Sequence, residues 1–332
     1  MKLSPQTFQS LAAGGRRISP AVAPDPELGP LAPLPGTWKS AGLGWSMAAL
    51  PFAAPSGPPF RLLLNQFDER LVFGLADKAV RNHGLSCDTP PVAADQLVVT
   101  LDYQQVIHQR AAVDRPASGL AGRADEAIHH EPGLWLFMAD HVHDDIDVAR
   151  LACVPNGSAV LAPGTSDVVE SPDPAVLITP INGLPRHLAH TDLDDPDNPY
   201  LSPYKAFHDQ PFKGSVKDPA FPGFDPVDPS ALLRLAIEGL DIARTTILHV
   251  DTTTQGGGIS SLPFVRRQAD VQRVVSTFWI HELRERTATG QPRMLLQYLQ
   301  DVSRDFLASP HGGLVRWPNI SINTLEKVAG MQ

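Results

Sequence analysis

The stretch from Gln96 to Gln109 has a period of two. Leu97, Val99, Leu101, Tyr103, Gln105 and Ile107 share one side of an extended chain, and Val98, Thr100, Asp102, Gln104, Val106 and His108 share the other. Similar strand-like segments run over Gly36–Phe52, Phe60–Gly74, Ala127–Met138, Val148–Val154, Ser158–Leu161, Asp241–Thr254, Asp270–Leu283, Arg293–Phe306 and Trp317–Leu325. The second of these is expected to fold back near Asp68-Glu69 as a hairpin, and Pro155-Asn156-Gly157 is the turn between two others. Strands do not alternate with long helices, which excludes a parallel α/β sheet. At about 3.3 Å per residue, Asp270–Leu283 spans roughly 45 Å, longer than sandwich strands usually run. About ten long antiparallel strands therefore predict an all-β, up-and-down barrel. Gly36-Thr37-Trp38, at the head of the first strand, marks its closure point, with the indole as a plug for one end.

Composition narrows the partners. A net charge of −9 and the lack of any Lys/Arg run argue against nucleic acid and anionic membrane surfaces. No segment approaches the roughly 18 apolar residues of a membrane span, and no apolar h-region follows Arg16-Arg17, so a cytoplasmic protein is expected. Cys87 and Cys153 read as free, buried thiols rather than a disulfide framework. A homodimer stays open.

The 33 prolines and 25 glycines concentrate where strand periodicity is lost. Residues 1–35 read as a proline-rich N-terminal arm, mostly disordered or wrapped outside the barrel, with the single domain following over 36–330. A long insertion at 185–229 is expected to cover or extend the barrel mouth. A short helix over Ala231–Leu240 follows it, with Leu232, Leu235, Ala236 and Leu240 on one apolar face.

Candidate chemistry is sparse. His129-His130-Glu131 is the densest polar cluster within an apolar strand, with His130 on one face and His129, Glu131 and Trp135 on the other. Glu131 with a nearby imidazole, His130 being the candidate, would make an acid/base couple on an apolar substrate if it turns inward; a solvent-facing pair is the equal alternative. His108 and His281 are single strand histidines that could meet His130 and Tyr103 inside a barrel. Trp135 and Tyr298 are among the aromatics expected to line such a cavity. His187, His190 and Asp192, with Asp194, Asp195 and Asp197, have spacings that can hold a divalent metal, though a solvated acidic loop is the stronger reading and no metal site is assigned. His141, His143, Asp144 and Asp145 read as a charged hairpin tip. Gly256-Gly257-Gly258 lacks the Lys-Ser/Thr of a phosphate loop, no Gly-x-Ser-x-Gly elbow occurs, and Cys153 has no base beside it.

G-T-W-K-S-A-G-L-G-W at 36–45 and I-H-H-E-P-G-L-W-L at 128–136 resemble elements of the nitrobindin-like haem-binding barrels, relatives in architecture of the lipocalins. G-G-G-I-S-S-L-P-F at 256–264, F-W-I-H-E-L at 278–283, L-Q-Y-L-Q at 296–300 and W-P-N-I-S at 317–321 are similar to a larger bacterial and fungal branch of them. The resemblance implies an open-mouthed barrel with an apolar cavity that binds a hydrophobic small molecule, haem being the cofactor it points to. The iron would sit on one late-strand histidine, but Gln300 stands where that residue would be expected, and Asn156 and Asn319 occupy turns where the larger branch would carry histidine. His130, His281 or His108 is then the axial ligand to test, and Tyr103, Trp135, Tyr298 and Gln300 are further cavity candidates.

Overall fold

The computed structural model describes residues 3–53, 58–140, 146–188, 191–195, 198–309 and 312–328. Its strands are β1 (Arg17–Pro20), β2 (Gly36–Pro51), β3 (Phe60–Phe73), β4 (Leu75–Asn82), β5 (Gln96–Arg115), β6 (Ala127–Met138), β7 (Val148–Val154), β8 (Ser158–Glu170), β9 (Ile242–Asp251), β10 (Gly258–Ser261), β11 (Asp270–Arg286), β12 (Pro292–Ala308) and β13 (Leu314–Lys327). All pairings are antiparallel, and the order β5-β3-β2-β13-β12-β11-β9-β8-β7-β6 closes on itself through β5–β6. That is a closed ten-stranded, up-and-down barrel, with β4 and β1 extending β5 on one side and β10 pairing the start of β8. Closure matters physically because it leaves no row of unpaired edge amides around the wall.

β3 does not turn at Asp68-Glu69. It runs straight through both residues, pairing with β2 on one side and β5 on the other, and the break falls at Gly74 before β4. The charged pair looked like a turn because two acidic residues interrupt an apolar run; Glu69 faces the barrel interior instead and is buried.

Alternation sorts the residues into two cores. Inward-facing Trp38, Leu71, Leu101, Trp135, Phe278 and Leu296 belong to the first. The segment over residues 26–34 closes one end of this core: Leu28, Leu31 and Leu34 are buried in it with Trp38. The Trp38 indole donates from Nε1 to Leu34 O at 2.8 Å, and Lys327 on the last strand lies over its ring. So the proline-rich arm is a stopper, held in place by tight contact. Gly29 has φ +56, and a Cβ there would come within 2.3 Å of the Phe137 ring.

The second core lies on the outer wall. Trp45, Met47, Leu62, Trp279 and Ile322 face outward from their strands and pack against residues between β8 and β9, among them Tyr204, Phe207, Phe224 and Leu233. Trp45 stacks on Phe221 and Phe224. The insertion thus clads one side of the barrel, where its aromatics cover apolar wall that water would otherwise meet. The helix that follows it runs over Ala231–Ile237 and buries Leu232, Leu233 and Ile237. Both Cys87 and Cys153 are free and exposed, not buried; Cys153 lies on the outward face of β7 beside inward Ala152. No helix among the described residues is long and apolar enough to cross a membrane.

Candidate functional site

Above the plugged end, polar side chains enter the barrel from seven strands, β3, β5, β6, β7, β11, β12 and β13. Arg150, the one charged residue of β7, is buried and points inward. Its Nη2 donates to Glu131 Oε1 at 2.6 Å, its Nε to Tyr103 Oη at 3.0 Å, and its Nη1 to Gln300 Oε1 at 2.6 Å and Ser276 Oγ at 3.2 Å. Tyr103 Oη in turn donates to Glu131 Oε1 at 2.6 Å. The guanidinium also packs over the Tyr103 and Phe278 rings. Gly133 makes room for this: a Cβ there would lie 2.5 Å from the Tyr103 ring and 2.3 Å from Leu151 O.

A second carboxyl lies beside the first cluster. Glu69 accepts from Tyr298 Oη at 2.6 Å, Asn323 Nδ2 at 2.7 Å and Gln105 Nε2 at 2.8 Å. The two carboxyls differ in what surrounds them. Burial raises the Glu131 carboxyl, but Arg150, His129 and Tyr103 overcome it and bring it down to about 2, so it stays ionised through neutral pH. Glu69 has three neutral donors and no guanidinium, and burial pushes it above the ordinary range.

These groups floor a cavity in two adjoining lobes. One, of about 420 Å³, is bounded by Leu63, Asn65, Phe67, Gln105, Ile107 and Tyr298. The other, of about 460 Å³, is bounded by Ala162, Val250, Ile259, Val271, Val274 and Val302. Ser46, Leu63, His129, Arg150, Gln300 and Ser321 border both. Asn65 lines the first lobe, and its Oδ1 is buried with no donor among the described residues. Volumes of this size suit small organic ligands.

The sequence candidates divide by strand parity. Tyr103, Glu131, Trp135, Tyr298 and Gln300 are inside. His129 enters with Glu131, its Nε2 lying 3.4 Å from Glu131 Oε2. His130 is exposed on the opposite face of β6, and His108 is exposed on the face of β5 opposite Tyr103 and Ile107. His281 is buried, but in the outer wall, with Nδ1 on Thr245 Oγ1 at 2.9 Å and Nε2 on Gln297 Oε1 at 3.1 Å. The convergence of His108, His130 and His281 is therefore not realised, because each is one residue out of phase with the inward set. His190, Asp197, His141, His143, Asp144 and Asp145 lie outside the described residues; Asp194 pairs with Lys205. Among the described residues no cluster of three His, Cys, Asp or Glu side chains suits a metal.

Arg150, Glu69, Asn323 and Arg304 escaped the sequence reading. Arg150 had a usable signal, a lone charge in Val-Ala-Arg-Leu-Ala-Cys-Val at an inward phase. Buried His281 has a measurable consequence. Burial holds its imidazole down at about 4 against an ordinary 6.5, so the unfolded chain binds the extra proton between those values. The associated stability is complete above pH 6.5 and lost as pH falls towards 4. Unfolding midpoints of His281→Gln, measured between pH 4 and 7, are expected to lack this part of the slope.

No protein-family model matches the chain, and no curated protein matches it.

Proposed function

We propose that the protein binds a hydrophobic small molecule inside the barrel. The observation that carries this is the two-lobed cavity, with apolar walls of Val, Leu, Ile and Phe over a polar floor of fixed hydrogen-bond groups. The ten-stranded architecture is also what the nitrobindin-like resemblance implies, and kinship with that family is part of the proposal. Haem suits the donor set poorly. His129 is the imidazole turned into the cavity, its Nε2 faces a carboxylate, and Gln300 is taken up by Arg150. A different ligand class is favoured, and no step is derived through iron.

The test uses a neutral apolar fluorophore, N-phenyl-1-naphthylamine, titrated into the protein. Saturable enhancement is expected. Ser321, which borders both lobes, supplies the control: Ser321→Trp should fill the shared space and reduce binding at least about tenfold while the far-ultraviolet spectrum is kept. Undiminished binding in that variant places the fluorophore elsewhere and defeats the proposal. Haemin added to the same protein is expected to keep the Soret band of free haemin; a shifted band lost in His129→Ala would restore the haem reading.

A further inference from the structure

We propose that the hydrophobic ligand carries one carboxylate and that Arg304 holds it, an inference that rests on the cavity being the binding site. Arg304 stands on β12, opposite Val271 of β11 and Trp317 of β13. It borders the lobe formed by Val271, Val274, Val302 and Ile259. Its Nε is buried and has no acceptor, and the guanidinium forms no ion pair or hydrogen bond among the described residues. Burial pushes its ionisation down, and no carboxylate offsets that; an arginine nevertheless remains charged.

Arg150 provides the contrast. It is deeper, yet Glu131, Tyr103, Gln300 and Ser276 take up its donors. The remaining titratable groups at this lobe are His129, His130 and Glu131. Glu131 and Arg150 cancel, His129 lies against Glu131, and His130 is exposed. Among the described residues, one positive charge without an acidic partner borders this lobe, in a chain whose net charge is −9.

A half-buried cation whose Nε has no acceptor keeps part of its desolvation cost, and a ligand oxyanion removes it. The planar guanidinium presents parallel N–H donors that match the two oxygens of a carboxylate. A valine- and isoleucine-lined space beside it suits an aliphatic or alicyclic body. A phosphate monoester carries a second charge for which the lobe supplies no partner.

Displacement of N-phenyl-1-naphthylamine by dodecanoate, dodecanol and dodecyl phosphate separates these cases. Dodecanoate is expected to bind about 10- to 100-fold more tightly than dodecanol, the range for a hydrogen bond to a charged group. In Arg304→Met that preference should vanish while dodecanol binding is unchanged, and in Arg304→Lys part of it should return. Equal binding of acid and alcohol by the unaltered protein, or a preference that survives Arg304→Met, overturns the proposal and leaves the cavity reading standing. A preference for dodecyl phosphate over dodecanoate overturns the carboxylate assignment. If the fluorophore and all three amphiphiles fail to bind, the cavity reading itself falls. Should Arg304→Met not fold, Arg304→Gln carries the same comparison.

Discussion

Replacing Arg150 with leucine is expected to cost about 3–5 kcal/mol in denaturant unfolding, the range for removing one partner of a buried ion pair. The cause is the survivor. Glu131 would stay at 2 % exposure, without the guanidinium that keeps it ionised. Two comparisons separate this from lost packing. The double variant Arg150→Leu/Glu131→Leu should be more stable than Arg150→Leu, because an apolar pair leaves no buried charge. The pH response should also reverse. In the unaltered protein the folded Glu131 carboxyl lies at about 2 against an ordinary 4.5, so its contribution is complete above pH 4.5 and lost below it. In Arg150→Leu burial raises Glu131 above its unfolded value, and the deficit should shrink as pH falls from 7 towards 4. A deficit that is constant with pH would assign Arg150 to packing alone.

Trp38→Ala is expected to be of similar size, about 3–5 kcal/mol, the range for truncating a fully buried tryptophan. Trp38 has 0 % exposure, and its indole joins three parts of the fold: its own strand β2, the stopper through Leu34 O, and the last strand through Lys327. Lys327 Nζ also donates to Pro33 O at 2.7 Å, so both residues hold the same segment. Loss of the indole should loosen residues 26–34 first. Limited proteolysis within that segment is therefore expected to accelerate more than cleavage in the barrel wall. Equal protection in both proteins would mean that the stopper is held without the plug.

The two variants probe opposite ends of one design. Trp38 and the stopper dry one end of the barrel with apolar surface, and Arg150 with Glu131 sets a polar floor above it. The ligand space begins where the hydrogen bonds of that floor end. Glu69 extends the floor as a second carboxyl that burial pushes up, bonded to Tyr298 and Asn323. Glu131, held ionised, is fixed as an anchor for Arg150 and His129 rather than poised to exchange a proton near neutrality.

Local patterning was enough to recover the barrel. Period-two alternation located the wall strands, and the predicted bounds of Ala127–Met138 and Val148–Val154 coincide with β6 and β7. Alternation also put His129, Glu131 and Trp135 on one face, which is the inward one. Long strands with little helix excluded the alternatives, since period and length are properties of contiguous residues. What a strand pattern leaves open is which face meets the cavity and which opposing residue it meets. His281 shows the limit: its side of β11 is as buried as the interior, because the insertion clads the wall outside it. Glu69 looked like a turn because an acidic residue belongs in solvent unless donors surround it, and its donors arrive from β5, β12 and β13. Arg304 is unremarkable among its sequence neighbours, and only the closed barrel leaves its Nε buried and without an acceptor among the described residues. The sequence by itself determined the wall, through alternation and strand length. Tertiary structure decided the site, because pairing a buried charge depends on residues far apart in the chain.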